Sequence, residues 1–303
     1  MTDSIEWIFE PVQACLICGG QQSSTVLERT IRSIPLRFVR CKACSLVYQN
    51  PRPTSETLKR YFSSTTFVKD SDNEGYSLDE LLGYPDYLDW DISYRKSASL
   101  RLGRIARFTQ PPRELLEIGT ATGSFLAAAR AAGYSVRGLD VSETLARIAR
   151  ERFGLEIDTG FIEDFPLPER HYDVICAFGG IACWSDPVRG LANVARALKP
   201  GGLLVINHPN LDSLFVRALN KRYFEFNHAS LTVLSNTTMR LCLDRAGFRI
   251  LFSENERQFA SVGRIVSYLK LNAAARLSKF MRFAHWIVPV IAFGTTFSIS
   301  TTK

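Results

Sequence analysis

The segment Glu114-Leu-Leu-Glu-Ile-Gly-Thr-Ala-Thr-Gly-Ser-Phe125 decides the fold of this chain. The apolar run Leu115–Ile118 reads as a short buried strand. Gly119 to Gly123 reads as a tight turn into an alanine-rich helix around 123–132. A strand, a glycine turn and a helix make the first half of a crossover unit, and open α/β sheets bind ligands at the carboxyl ends of such strands. Glycine suits the turn because a missing Cβ lets a ligand approach the backbone and lets the chain take φ above zero.

The same alternation continues downstream. Ser135–Leu139 reads as a strand closed by Asp140, followed by a helix over 142–153, a short strand near 155–159 and the strongly apolar strand Tyr172–Phe178. A helix over about 187–198 ends at Lys199-Pro200-Gly201-Gly202, and Leu203–Asn207 is the next strand. Beyond a long connection come a helix near 236–246, the strand Phe248–Phe252, a basic helical stretch at about 262–288 and a strand-like end, Thr295–Thr302. Strands alternating with crossover helices predict an α/β fold, a Rossmann-like, doubly wound sheet of seven strands.

Upstream, residues 11–53 are rich in cysteine and arginine and end at Asn50-Pro51-Arg52-Pro53. The expected organisation is a small zinc-binding module over 1–53, a helical and aromatic linker or cap over 54–110, and the main domain over 111–303. That domain carries a basic helical insertion at about 258–290. Within the linker the polar stretch 63–75 reads as a mobile loop.

Composition sets bounds on function. With 46% apolar and 22% charged residues the chain is typical of soluble globular proteins. The opening MTDSIEWIFEP lacks the basic start and apolar run of an export signal, so a cytosolic protein is expected. The net charge of +7 is uneven: residues 111–257 are balanced, whereas residues 258–303 hold six basic residues and no acidic one. A uniformly basic nucleic-acid surface is not what this describes.

Two cofactors use a glycine turn of this kind. A dinucleotide wants G-x-G-x-x-G, so that backbone N–H groups meet a pyrophosphate. Here those places are Gly119, Ala121 and Ser124, and only the first matches. The spacing Gly119-x-Ala121-x-Gly123 instead resembles the G-x-G-x-G loop of class I S-adenosylmethionine-dependent methyltransferases. Further segments resemble that family in order: Gly160–Pro168 after the third strand, Tyr172-Asp-Val-Ile175, Leu198-Lys-Pro-Gly-Gly202, Pro209-Asn210 and Ala246-Gly-Phe248.

The resemblance implies that S-adenosylmethionine is the cofactor. It further implies that Gly119, Thr120, Ala121 and Gly123 wrap its methionine part, that Glu117 is a further cofactor-binding residue, and that Asp140 holds the ribose hydroxyls. Ile162 and Glu163 should lie by the adenine, Phe178 should end its strand facing the sulfonium, and Tyr94 is a candidate cap for the methionine end. One departure stands out. Many relatives carry Glu-His just after the fourth strand, before an Asp-Pro. Here Asp186-Pro187 is present but the pair reads Ala182-Cys183. His228 and His208 are therefore the candidate catalytic bases, since a histidine titrates near neutral pH.

The metal signal is separate. Cys15-Leu-Ile-Cys18 and Cys41-Lys-Ala-Cys44 are two C-x-x-C knuckles, the pattern of a Cys₄ zinc ribbon. The other cysteines, Cys176, Cys183 and Cys242, read as free thiols in a reducing compartment. A redox C-x-x-C would open a helix in a βαβ unit, which this segment lacks.

Zinc module, linker and core in this order resemble bacterial methyltransferases of sugars and secondary metabolites. The implied acceptor is a small molecule: a sugar, polyketide, quinone or lipid-linked intermediate. The chain lacks room for the extra C-terminal domain usual in the sugar C-methyltransferases. Two alternatives stay open: an RNA methyltransferase using Arg29, Arg32, Arg37, Arg40 and Lys42 on phosphates, and a catalytically silent scaffold. Arg276, Lys279 and Arg282 also suggest peripheral contact with an anionic membrane, while Pro289 and Gly294 break the apolar run 283–298 below spanning length.

Overall fold

The computed structural model describes residues 5–31, 33–64, 87–223, 225–261 and 287–303. Its centre is a seven-stranded sheet built from β6 (Glu114–Ile118), β7 (Ser135–Asp140), β8 (Ile157–Thr159), β9 (Tyr172–Phe178), β10 (Leu198–Pro209), β12 (Phe248–Ser261) and β13 (Ile287–Thr302). Across the sheet the order is β12-β13-β10-β9-β6-β7-β8. β10, β9, β6, β7 and β8 pair in parallel, whereas β13 runs antiparallel to both of its neighbours. The strand order reverses between β6 and β9, the switch point at whose carboxyl end open α/β sheets bind ligands.

Alternation along each strand builds two cores, one per face. Leu115, Val174, Cys176, Leu203 and Val205 meet helices Tyr87–Ile105, Ser124–Ala131 and Glu143–Phe153 through Ala98, Leu126 and Ala149. Leu116, Ile118, Ile175, Ala177, Leu204 and Ile206 meet helices Pro187–Ala197 and Asn236–Arg245 through Leu191, Val194, Met239 and Cys242. Each fully buried Leu, Ile, Val or Met among them contributes about 1.5–3 kcal/mol. Local signals fix the helix starts: Ser142 caps through Leu145 N, Asp186 through Arg189 N ahead of Pro187, and Ser235 forms a capping box with Thr238.

The N-terminal segment is not an appendage. β2 (Ser23–Ile31), β3 (Ile34–Cys41) and β4 (Val47–Gln49) form an antiparallel sheet whose fourth strand, β11 (Thr232–Val233), comes from the long connection after β10. Cys15, Ile17, Cys41 and Tyr48 belong to the same buried cluster as Leu116 and Leu204. Two further strands, β1 (Phe9–Glu10) and β5 (Arg52–Pro53), pair with each other before helix Ser55–Ser63.

The C-terminal reading needs correction. Residues 258–261 and 287–290, expected within a helical insertion, are strand. β12 and β13 continue as one long hairpin out to Ser261↔Ile287, well past the expected limits 252 and 295. Ile287, Val288, Val290 and Ile291 are β-branched and gain ladder bonds there, which favours strand over helix. The basic stretch with Arg276, Lys279 and Arg282, and most of the polar loop 63–75, lie outside the described residues. No described helix is long and apolar enough to cross a membrane.

Candidate cofactor and metal sites

The turn after β6 is held by the end of the neighbouring strand β7. Gly119 N donates to Leu139 O at 2.7 Å, and Gly119 (φ +75°), Ala121 (φ +48°) and Gly123 (φ +80°) are all left-handed. At Gly123 a Cβ would lie 2.8 Å from Leu155 Cδ1 and 2.9 Å from Ala149 Cβ, so glycine is required both for φ and for space. At Gly119 a Cβ would meet only Gly180 Cα, 3.9 Å away, so two side-chain-free residues face one another across the ends of β6 and β9. The result is a slot in which a ligand can reach the backbone.

Carboxylates line this slot. Asp140 is buried; its Oδ2 accepts Ala121 N and its Oδ1 accepts Ser142 N, both at 2.8 Å. Burial pushes its carboxyl up to about 6, against the pull of those N–H donors. Burial also holds Glu117 well above the carboxylate range; Arg101 opposes the shift and Asp140 adds to it. Glu117 Oε2 is buried without a partner among the described residues. The unpartnered Glu117 Oε2 and the Asp140 carboxyl offer acceptors for the amino group and the ribose hydroxyls of a nucleoside cofactor. S-adenosylmethionine carries a sulfonium and an ammonium, and the residues present fit it.

The expected adenine-side residues stand one loop further on. Ile162 is buried, and its carbonyl accepts from Asn193 Nδ2 at 2.7 Å. Glu163 Oε1 accepts from Ser185 N, Ser185 Oγ and Asp186 N, so this carboxylate holds the turn after β9 in place; its Oε2 is buried without a described partner. Phe178 closes β9 with its ring 4.7 Å from that of Phe125 and under the Arg101 guanidinium at 4.1 Å. The ring is thus part of the wall behind the slot. Thr120 is buried, and Tyr94 lies half-buried on helix Tyr87–Ile105.

The two histidines differ. His208 is 2% exposed, with Nδ1 against Pro209 O at 2.7 Å, and burial lowers its pKa to about 4. An imidazole of so low a pKa is a weak proton acceptor, and it is shut off from solvent. His228 sits at the N-terminal sheet, its ring 5.0 Å from Trp7 and its Nε2 buried without a described partner. Burial lowers its pKa, opposed by the backbone of Pro35 and Ile34.

Sequence reasoning missed Glu225. Its Oε2 accepts from Ser230 Oγ at 2.8 Å, and burial pushes its carboxyl up to about 7. No motif marks it, because its burial is created by the fold. Gln49 was missed as well: its amide donates to the carbonyls of Asn227, His228 and Ser230, fastening the connection to the N-terminal sheet.

The knuckle cysteines converge. Cys15, Cys18, Cys41 and Cys44 place their sulfurs within 4.8 Å of one another, with Cys15–Cys44 and Cys18–Cys41 at 3.5 Å. Four thiolates about 2.3 Å from one tetrahedral ion lie about 3.8 Å apart, so the cluster fits zinc. Gly20 N donates to Cys18 Sγ at 3.4 Å. At Cys41 burial raises the thiol, but the N–H groups of Cys44 and Ala43 together with the Cys18 and Cys15 thiols outweigh it and bring the value down to about 7.

Comparison with known proteins agrees with this geometry. A family model described as "Methyltransferase domain" matches residues 93–252, more than half of the chain. The chain belongs to this methyltransferase domain family. The uncharacterized methyltransferase YdaC of Bacillus subtilis is 38% identical over 74 residues, 23% of this chain and 41% of that protein. A demethylmenaquinone methyltransferase of Chlorobaculum tepidum is 34% identical over 98 residues, 32% of this chain and 40% of that one. The chain thus spans about two fifths of the length of these curated relatives. Among solved structures, a SAM-dependent methyltransferase of Thermotoga maritima superposes with a TM-score of 0.50 at 21% identity, covering 72% of this chain and 94% of that one. That likeness establishes the shared methyltransferase fold.

Proposed function

We propose that this protein transfers a methyl group from S-adenosylmethionine to a small acceptor molecule, with a structural zinc ion in its N-terminal sheet. The observation that carries the reading is the slot at the end of β6: left-handed Gly119, Ala121 and Gly123 beside the buried carboxyls of Glu117 and Asp140. When bound, the cofactor supplies an electrophilic methyl group already activated by positive sulfur, so the protein has mainly to align donor and acceptor. Asp140 would hold the ribose hydroxyls, Glu117 and the turn the methionine end, and Ile162 and Glu163 the adenine side.

The zinc reading rests on the four converged sulfurs, and its role is to brace the sheet that clasps residues 227–233. A small-molecule acceptor is supported by the charge balance of residues 111–257 and by the relative named for demethylmenaquinone. The test is incubation of the full chain with methyl-labelled S-adenosylmethionine, supplying a naphthoquinol or bulk tRNA as acceptor. Label in the quinol supports the reading. Label in RNA alone overturns the small-molecule assignment, and label in neither, with the cofactor bound, supports a silent scaffold.

A further inference from the structure

The side of the cofactor slot that follows β9 is held from outside its own loop. Phe178 ends β9, and its register partner on β10 is Asn207. The pairing of the two strands stops there, and the Asn207 side chain continues it by one residue: its Oδ1 accepts Gly179 N at 2.5 Å. Gly179 is left-handed (φ +74°), and the next residue, Gly180, has its Cα 3.9 Å from where a Cβ of Gly119 would stand. One amide oxygen thus fixes the turn that faces the glycine loop across the slot.

A buried acid decides which way that amide points. Asn207 Nδ2 donates to Glu256 Oε2 at 3.4 Å, and both residues are buried. Glu256 Oε1 lies 3.5 Å from Arg101 Nε and from Arg104 Nη1, and a carboxylate in an ion pair only accepts hydrogen bonds. Turned over, the amide would set its oxygen against this carboxylate and its NH2 against the Gly179 N–H. Both contacts would repel, so the orientation is fixed from both ends.

Glu256 reaches the same turn by a second route. Its partner Arg101 lays its guanidinium 4.1 Å from the centre of the Phe178 ring, the residue just before Gly179. That ring lies 4.7 Å from Phe125, on the helix that leaves the glycine loop. One acid of the β12–β13 hairpin is therefore joined to Gly179 through Asn207, and to Phe178 and Phe125 through Arg101. It stands where the hairpin ladder is interrupted, just after Asn255, and such irregularities re-aim side chains.

Resting on the methyltransferase reading, we propose that Asn207 is a positioning residue of the cofactor slot and that Glu256, on the C-terminal hairpin, sets the orientation of its amide. Both act through the backbone of Gly179 and Gly180. Without the fixed amide, cofactor binding has first to order this turn, and that ordering is lost from the affinity. Members of one hydrogen-bond network couple, so exchanging two partners in step should preserve what exchanging one destroys. The hairpin thus does more than complete the sheet: it specifies the gap between Gly119 and Gly180 in which the cofactor is gripped.

The test uses the full chain and two readouts: calorimetric affinity for S-adenosylhomocysteine, and amide exchange at Gly179 by NMR of ¹⁵N-glycine-labelled protein. Asn207→Leu removes both hydrogen bonds and should weaken affinity about tenfold or more while speeding Gly179 exchange. Asn207→Asp sets a second carboxylate against Glu256 and should weaken affinity by a similar factor. Adding Glu256→Gln to Asn207→Asp lets amide and carboxylate change places at constant net charge. That double variant should recover both readouts to within about threefold of wild type, which a merely structural contact would not do. If Asn207→Leu fails to fold, the Asn207→Asp pair decides. Single variants that bind within about twofold of wild type overturn the proposal, as does a double variant no better than Asn207→Asp, or faster Gly179 exchange with affinity unchanged. Failure of the wild type to bind S-adenosylhomocysteine would instead overturn the methyltransferase reading, with Gly179 exchange still reporting whether Asn207 and Glu256 hold the turn.

Discussion

Asp140 Oδ2 accepts the backbone N–H of Ala121 at 2.8 Å, joining the acid that closes β7 to the middle of the turn that follows β6. The same carboxylate holds Ser142 N, the residue that caps the next helix. One side chain thereby fixes both loops that frame the crevice, and its pKa is tied to whatever binds there.

That coupling gives a pH dependence. The Asp140 carboxyl is raised to about 6 by burial, so in the free protein it is neutral at pH 5 and ionised at pH 7. Ribose hydroxyls that donate to this carboxylate favour its ionised form and lower the value on binding. Affinity for S-adenosylmethionine should therefore rise with pH, by at most about tenfold per unit below pH 6, and level off above it. Calorimetry at several pH values checks this, and Asp140→Asn should flatten the profile.

Gly123→Ala places a Cβ against Leu155 and Ala149 at a left-handed φ. Stability should fall by about 1–3 kcal/mol, with cofactor affinity falling in parallel. Denaturant unfolding measures the first effect. Unchanged stability would mean that the turn relaxes, and that the glycine is not needed for packing.

A buried ion network supports the wall behind the slot. Glu256 is fully buried and lies 3.5 Å from both Arg101 and Arg104, which also stack on Phe178 and Phe297. Arg104 reaches Glu254 at 2.6 Å as well. Removing the Glu256 carboxylate takes the ion-pair partner from the buried Arg101 guanidinium and leaves Arg104 with Glu254, so Glu256→Ala should cost about 3–5 kcal/mol and Glu256→Gln less. Urea unfolding of the two variants checks the order.

Much of this architecture was legible in the sequence, because β6, β7 and β9 are short apolar runs closed by Gly119, Asp140 and Gly179, signals that act within a few residues. The slot itself was legible for the same reason. Gln49 and the Arg101–Glu256 pair were not, since each acquires its meaning from partners far along the chain, and neither was Glu225, whose burial only the fold creates. The β12–β13 hairpin was underread because Arg257 and Gln258 look like the start of a polar helix until Ile291 and Val290 are seen opposite them. The strand β11 was invisible for another reason: two residues carry no period, and only pairing with β4 makes them a strand.

Metal analysis of the protein purified without chelators should find about one zinc per chain, lost in Cys15→Ser and in Cys41→Ser. Stripping the ion should lower stability by an amount on the order of several kcal/mol and loosen residues 227–233, which Gln49 and β4 hold. Hydrogen exchange at those amides reports the coupling. Retained protection in zinc-free protein would separate the metal from the acceptor side.

The most direct measurement is calorimetric titration of the full chain with S-adenosylmethionine and S-adenosylhomocysteine, beside Asp140→Ala and with a nicotinamide dinucleotide as control. Micromolar binding of both sulfur compounds, weakened about a hundredfold or more in the variant and absent for the dinucleotide, is the expected result. A folded protein that binds neither sulfur compound, or binds both equally well without Asp140, would contradict the cofactor site at the end of β6.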